Sequence, residues 1–279
     1  METQEQTTQA QDLTVVGAVQ PIVERFVVAE PLQGERAERV YEEVSKLIKD
    51  EFSKTRAFQG CWNYNARTGQ IEGSSIFHLI LANDAKILGS MGLRTPTYEE
   101  GRMLDSQQKL SEKVYRDFEI VGYDAGNPNA DIAELIMNSA KGRVGFPFKA
   151  HPRALKLGNA DTKYNVGIFF TDDLSGVVSG ERAKRTIDSC DYKEGSGVRR
   201  LGRDRGGNWN ANRDADWDYL AGSGDDGLVD WVCREATRAE IEALDAKVIE
   251  GHYQANLNNA VRDLQSQRDR AFAVLRGKE

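Results

Sequence analysis

Residues 197–231 read GVRRLGRDRGGNWNANRDADWDYLAGSGDDGLVDW, and three of the chain's four tryptophans, Trp209, Trp217 and Trp231, lie in this stretch. Asn208, Asn210, Asn212, Asp214, Asp216 and Asp218 recur at every second position, with Trp, Ala and Arg between them. In an extended chain alternate side chains face opposite ways, so this spacing puts amides and carboxylates on one face. Aliphatic residues gather at the two ends, 198–201 and 228–232. The pattern predicts a polar surface displayed between two strands.

The rest of the chain reads as the frame for that surface. Its 279 residues carry a net charge of -7, with 39% apolar and 29% charged residues. That balance suits one sizeable core with appendages. The acidic excess argues against bulk nucleic-acid binding. Arg199, Arg200, Arg203 and Arg205 near Trp209 could stack on bases, but the aspartates that follow would repel a phosphate backbone. The arginines then read as a mixed-charge rim. No apolar run approaches the roughly 20 residues of a membrane helix, and the start METQEQTTQAQD lacks the features of a secretory leader. The cytoplasm is the default compartment, with surface or virion display left open.

Residues 1–30 read as an N-terminal arm, disordered at its Gln/Thr-rich start. Residues 34–56 carry Ala37, Val40, Tyr41, Val44, Leu47, Ile48 and Phe52 at steps of three and four, which predicts an amphipathic helix. Residues 75–82, SIFHLILA, fit a buried strand or a short core helix, and their length does not decide which. Thr95 before Pro96, with Glu99 and Glu100 after it, predicts a helix start with a hydroxyl cap, running to about 116. Strands are expected at 118–123, 144–149 and 164–170, and helices at 130–140 and 180–189. From about 237 the chain turns helical to its end. Ile241, Leu244 and Val248, then Leu257, Val261, Leu264, Phe272 and Leu275, form a stripe that slips phase near Gly251 and suits docking or a homo-oligomer through helices.

Sites of chemistry are sparse. His78, His151 and His252 form no close pair, and neither a nucleophile elbow nor a Walker sequence occurs. Residues 222–227 spell GSGDDG, which matches a dinucleotide fingerprint by letters only, because a strand and not a helix is expected after it. Asp214, Asp216, Asp218 and Asp225 stand at positions one, three, five and twelve of a calcium-loop pattern, but Tyr219 replaces its glycine and an Asp its final Glu. Cys61, Cys190 and Cys233 lie far apart and form no CxxC pair. Buried small residues at strand ends are the common fate of such cysteines. The expectation is therefore no metal, no cofactor and no catalytic residue.

The residues 197–201 (GVRRL), Gly206-Gly207 with Trp209, Leu220 with Gly222, and 227–233 (GLVDWVC) resemble the variable proteins of diversity-generating retroelements. The segment 92–100, GLRTPTYEE, is similar to the helix start of the wider superfamily, which includes the formylglycine-generating enzyme. The resemblance covers about 58–236. It implies a C-type lectin fold at 58–236 of an α+β chain; the amphipathic helix at 31–57 and the C-terminal helical tail at 237–279, read from periodicity, are additions to it, and neither that tail nor the first 30 residues are explained by the resemblance. In many relatives the variable region closes the chain, so the residues that follow it here depart from the pattern. It also implies that a reverse transcriptase rewrites adenines in the codons of the variable region. The positions carrying the resulting palette are Asp204, Arg205, Asn208, Asn210, Asn212, Arg213, Asp214, Asp216, Asp218, Tyr219, Ser223, Asp225 and Asp226. Leu201, Gly206, Gly207, Trp209, Ala211, Trp217, Leu220 and Gly227 would be scaffold, with Trp209 or Trp217 alternatively on the displayed face. The function expected is binding of a macromolecular ligand, a protein, with no nucleic acid and no catalysis. The rivals are a calcium-dependent sugar-binding lectin and an oxidase on the same fold acting on protein cysteines.

Overall fold

A computed structural model describes residues 14–16, 27–58, 60–111, 113–123, 130–188, 197–211, 220, 227–242, 257–258, 261–262 and 264–265. The chain divides into two compact units, 1–234 and 235–279.

The first unit mixes helix and sheet. Strand β1 (Thr14–Val16) pairs antiparallel with β2 (Val27–Pro31). Helix α1 (Glu35–Glu51) buries Ala37, Val40 and Val44 at the predicted spacing, and Glu35 and Glu38 sit in its first turn near the positive end of the helix dipole. It packs on the short strands β3 (Asn63–Asn65) and β4 (Gln70–Glu72) and on helix α2 (Ile76–Ala82). The ambiguous 75–82 segment is thus a helix. All seven of its residues are buried, and a helix covered all round shows no amphipathic period to read.

Helix α3 (Tyr98–Ser106) starts two residues later than its sequence suggests. Thr97, not Thr95, caps it: the Thr97 hydroxyl accepts the Glu100 N–H at 3.3 Å, and the Glu100 carboxylate accepts the Thr97 N–H at 2.7 Å. Thr95 is occupied elsewhere, its hydroxyl accepting Asn83 Nδ2 at 2.8 Å. The helix also stops well short of 116. Gln108 takes a positive φ of 58° and the Lys109 N–H closes on the Leu104 carbonyl, turning the chain toward the next strand.

That strand, β5 (Arg116–Gly122), is buried along its whole length. Helix α4 (Ala130–Ala140) follows, then β6 (Phe148–Ala150), the hairpin of β7 (Leu155–Gly158) with β8 (Gly167–Phe170), strand β9 (Val177–Ser179) and helix α5 (Glu181–Asp188). Strands β6 and β8 are shorter than the runs 144–149 and 164–170 suggest. With β10 (Val198–Arg203) and β11 (Trp209–Ala211) the central sheet runs β11-β10-β5-β6-β9. Between Leu201 and Gly202 the register against β5 shifts, so Leu201 faces Glu119 and Gly202 faces Asp117, and Phe118 has no opposite number.

The apolar run 228–232 is two strands, not one. β12 (Leu228–Val229) pairs with β4, and β13 (Trp231–Glu235) lies beside β2 in the sheet β1-β2-β13. Asp230 is the break between them. The larger apolar cluster gathers residues from α1, α2, α4 and β8. A smaller one holds Tyr98, Leu104, Phe118, Val121, Leu201 and Cys233, with Trp209 and Trp231 against it. In the second unit, Thr237 and Glu240 form another reciprocal cap, with the Thr237 N–H donating to Glu240 at 2.8 Å and the Glu240 N–H to Thr237 at 3.3 Å. Helical backbone follows at 238–242 and recurs at 257–258, 261–262 and 264–265. Among the described residues no helix is long and apolar enough to cross a membrane.

Candidate functional site

The polar stretch leaves the five-stranded sheet on β10, next to the central β5, and returns along its edge on β11, with Leu201 opposite Ala211, Gly202 opposite Asn210 and Arg203 opposite Trp209. The turn between them is built by residue 204. The Asp204 N–H donates to the Asn208 carbonyl at 3.0 Å, and the Gly207 N–H donates to the Asp204 carbonyl at 3.1 Å. Gly207 sits at φ 81°, the left-handed residue that a three-residue hairpin loop needs. One Asp204 oxygen accepts the Gly206 N–H at 2.8 Å and the Asn208 N–H at 2.9 Å. Burial alone would raise the Asp204 carboxyl. The donors from Asn208 and Gly206 outweigh it and hold the group below the ordinary carboxylate range.

Side chains in this hairpin divide by role. Arg205 and Asn208 are exposed, while Leu201 is fully buried. Trp209 turns inward, its ring edge-on to Tyr98 at 5.1 Å and stacked on Phe118 at 5.4 Å. Its indole N–H donates to Asp105 at 3.0 Å. Further along, Leu220 is fully buried. Gly227 lies so close to Tyr115 that an added Cβ would stand 2.6 Å from the ring, and its carbonyl accepts the Gly73 N–H at 2.6 Å. Buried residues therefore recur along the stretch at 201, 220, 227 and 229, with the half-buried Trp209 packed inward between them. Asn212, Arg213, Asp214, Asp216, Asp218, Tyr219, Ser223, Asp225 and Asp226 lie outside the described residues, as do Trp217, the glycine-rich 222–226 and the calcium-like loop. Asn210 is described as a strand residue only.

The arginines of β10 are not the rim that the sequence suggests. Arg199 and Arg203 are 3% exposed. Arg203 pairs with Asp105 at 2.9 Å and donates to the Ser111 carbonyl at 2.9 Å. Arg200 bonds Asp117 at 2.7 Å, and its guanidinium lies 5.4 Å from the centre of the Tyr115 ring. Burial keeps the Asp117 carboxyl above its usual range despite Arg200 and Ser74. Only Arg205 has the exposed setting expected of the group.

A second set of buried charges lies beside α3, and sequence reading does not single it out. Arg94 clasps Glu100 with two bonds of 2.6 Å. Burial would raise the Glu100 carboxyl, but Arg94 overrides it and brings it to about 2. Lys149 contacts Glu99 at 2.5 Å and Glu119 at 3.2 Å. Burial pushes the Glu119 carboxyl up, Lys149 opposes and the nearby Glu99 charge adds to the rise, leaving it at about 7. The three charged residues set among apolar ones in 116–121, RDFEIV, are the sequence signal for this layer. It becomes legible only once the strand is known to be buried on both faces.

Arg94 with Glu100, and Lys149 with both Glu99 and Glu119, fasten α3 to its surroundings, with the Glu99 side chain half exposed. The two described histidines are structural. His78 stacks on Trp62 at 4.6 Å and bonds Ser75 Oγ through Nδ1 at 2.7 Å. His151 accepts the Arg153 N–H at Nδ1, 3.1 Å away, and meets the Thr95 carbonyl at Nε2, 2.9 Å away. Burial holds both rings neutral, down to about 3. Cys233 is fully buried, and burial raises its thiol far above the range in which a thiolate forms. Cys190 and His252 lie outside the described residues. Among the described residues no three metal-ligating side chains come together. No known protein family, curated protein or solved structure matches the chain.

Proposed function

We propose that this chain is a ligand-binding protein with a C-type lectin fold, displaying a retroelement-diversified surface at about 199–227. One observation carries the reading. The stretch is fastened at intervals by the buried Leu201, Leu220 and Val229 and the half-buried Trp209, while Arg205 and Asn208 between them are exposed. A surface that tolerates many residue types must not be needed for folding; the exposed Arg205 supports that separation, whereas Asp204, also among the candidate positions, holds the turn. The terminal strands of the first unit share one sheet, with β2 beside β13. The polar stretch is then an excursion from a frame closed at both ends, as recognition loops on rigid scaffolds are. Asn, Asp, Tyr, Ser and Gly are adaptable contact residues, suited to a protein ligand.

The test is the separability itself. Replacing Asn210, Asn212, Asp214 and Asp216 together with alanine should leave the unfolding free energy measured in urea within about 0.5 kcal/mol of the parent, the range of surface substitutions. Cooperative unfolding lost in that variant contradicts the proposal.

A further inference from the structure

Leu257, Val261 and Leu264 are 46%, 44% and 64% exposed in the second unit, the large apolar side chains left open among the described residues. Their backbone is helical, and their steps of four and three put them on one stripe. We infer that this stripe is covered by the same stripe of a second copy of the chain, in a parallel two-stranded coiled coil.

Three features choose that occupant. The spacing matches a heptad with Leu257 and Leu264 at d and Val261 at a. A β-branched residue at a with leucine at d is the combination that favours two parallel strands over three or four. The flanking e and g positions are Asn258, Ala260, Gln265 and Gln267, none of them charged. Over residues 257–267 two copies in register therefore bring no like charges together along the seam, and nothing there selects a charged partner of another kind. The charges of this segment, Arg262 and Asp263, fall at the outer b and c positions. By sequence the same register continues through Arg268 at a, Ala271 at d and Leu275 at a. A polar residue at one a position weakens such a pair and fixes its alignment. The consequence is a reversible dimer that presents two binding faces, so that avidity exceeds single-site affinity. The inference does not depend on what those faces bind.

Sedimentation velocity on the full chain between about 1 and 100 μM tests it. The expected result is a monomer–dimer equilibrium within that range, with the dissociation constant raised at least 100-fold in the Leu257→Asp, Val261→Asp, Leu264→Asp variant. Because the stripe is exposed, the first unit should melt at the parent temperature in this variant. Single substitution Val261→Asn should weaken the pair in the same direction. Under oxidising conditions the Leu257→Cys chain should cross-link to itself at position 257, as shown by mass spectrometry of its peptides. A chain that stays monomeric throughout, a trimer, or a dimer unaffected by the triple variant overturns the inference. A dimer with no cross-link at 257 overturns the parallel arrangement.

Discussion

Arg116 and Asp230 meet in a buried, two-pronged ion pair, with Nε to Oδ1 at 2.9 Å and Nη2 to Oδ2 at 2.6 Å. Arg116 opens β5, and Asp230 stands where the chain leaves β12 for β13, so the pair ties the end of the polar stretch to the central sheet. Removing one partner strands a buried charge. Asp230→Ala is expected to cost about 3–5 kcal/mol, whereas the paired change Arg116→Met with Asp230→Leu should recover most of that loss. Chemical denaturation of the three proteins checks this. Equal losses in the single and paired variants would contradict it.

The hairpin turn gives a second contrast. Asp204 and Gly207 hold the backbone, while Arg205 extends from it. Asp204→Ala should lose about 1 kcal/mol, and Gly207→Ala a similar amount because its φ of 81° is strained for any side chain. Arg205→Ala should stay within about 0.5 kcal/mol. The Asp204 contribution is present above the unfolded carboxylate range and disappears as pH falls through its lower folded value. Thermal melts of the three variants at pH 7 test the division. A loss at Arg205 as large as that at Asp204 counts against it.

Opposing titrations shape the pH profile. Glu119 is raised from 4.5 to about 7 in the folded state, so the folded protein binds its proton more tightly. Its contribution is greatest below the unfolded value and declines as pH rises from 4.5 to 7. The histidines act the other way: each is lowered from 6.5 to about 3, and their contribution is lost as pH falls through that window. The stability difference between the parent and Glu119→Gln isolates the first effect. It should shift against the parent as pH rises from 4.5 to 7 and be flat above 7. In the same protein the imidazole resonances of His78 and His151 should hold their neutral positions at pH 5. A histidine midpoint near 6.5 would contradict the burial described for that ring.

Thiol chemistry separates binding from the oxidase rival. Cys233 is fully buried and Cys61 is partly exposed. A maleimide should modify Cys61 in the native protein and reach Cys233 only after denaturation, as peptide mapping would show. Rapid native labelling of Cys190 or Cys233 would favour the enzyme reading.

How much was legible follows from where each signal lives. The spacing of Ala37, Val40 and Val44 reported α1 because that helix has one wet face. The segment 76–82 hid its period because every side is covered. The start of α3 was misplaced at Thr95 because two threonines flank Pro96, and only the contact with Asn83 shows which one is engaged elsewhere. In the polar stretch the buried Leu201 could be told from the exposed Arg205 and Asn208 by residue type, whereas Trp209 suited either face, and only its contacts with Tyr98, Phe118 and Asp105 show that it turns inward. The burial of Arg199 and Arg203 could not, since their neighbours Asp105 and Ser111 come from distant sequence.

The displayed-face reading is tested most directly in the DNA beside the gene. Sequencing the flanks should reveal a near-copy of the segment encoding residues 197–231. Its differences should fall where the copy has adenine, and a reverse-transcriptase gene should lie next to it. Mismatched codons should include those of Asn208, Asn210, Asn212, Asp214, Asp216 and Asp218 and spare those of Leu201, Trp209 and Leu220. Flanks with no such copy would contradict diversification and leave the stretch as an ordinary fixed loop.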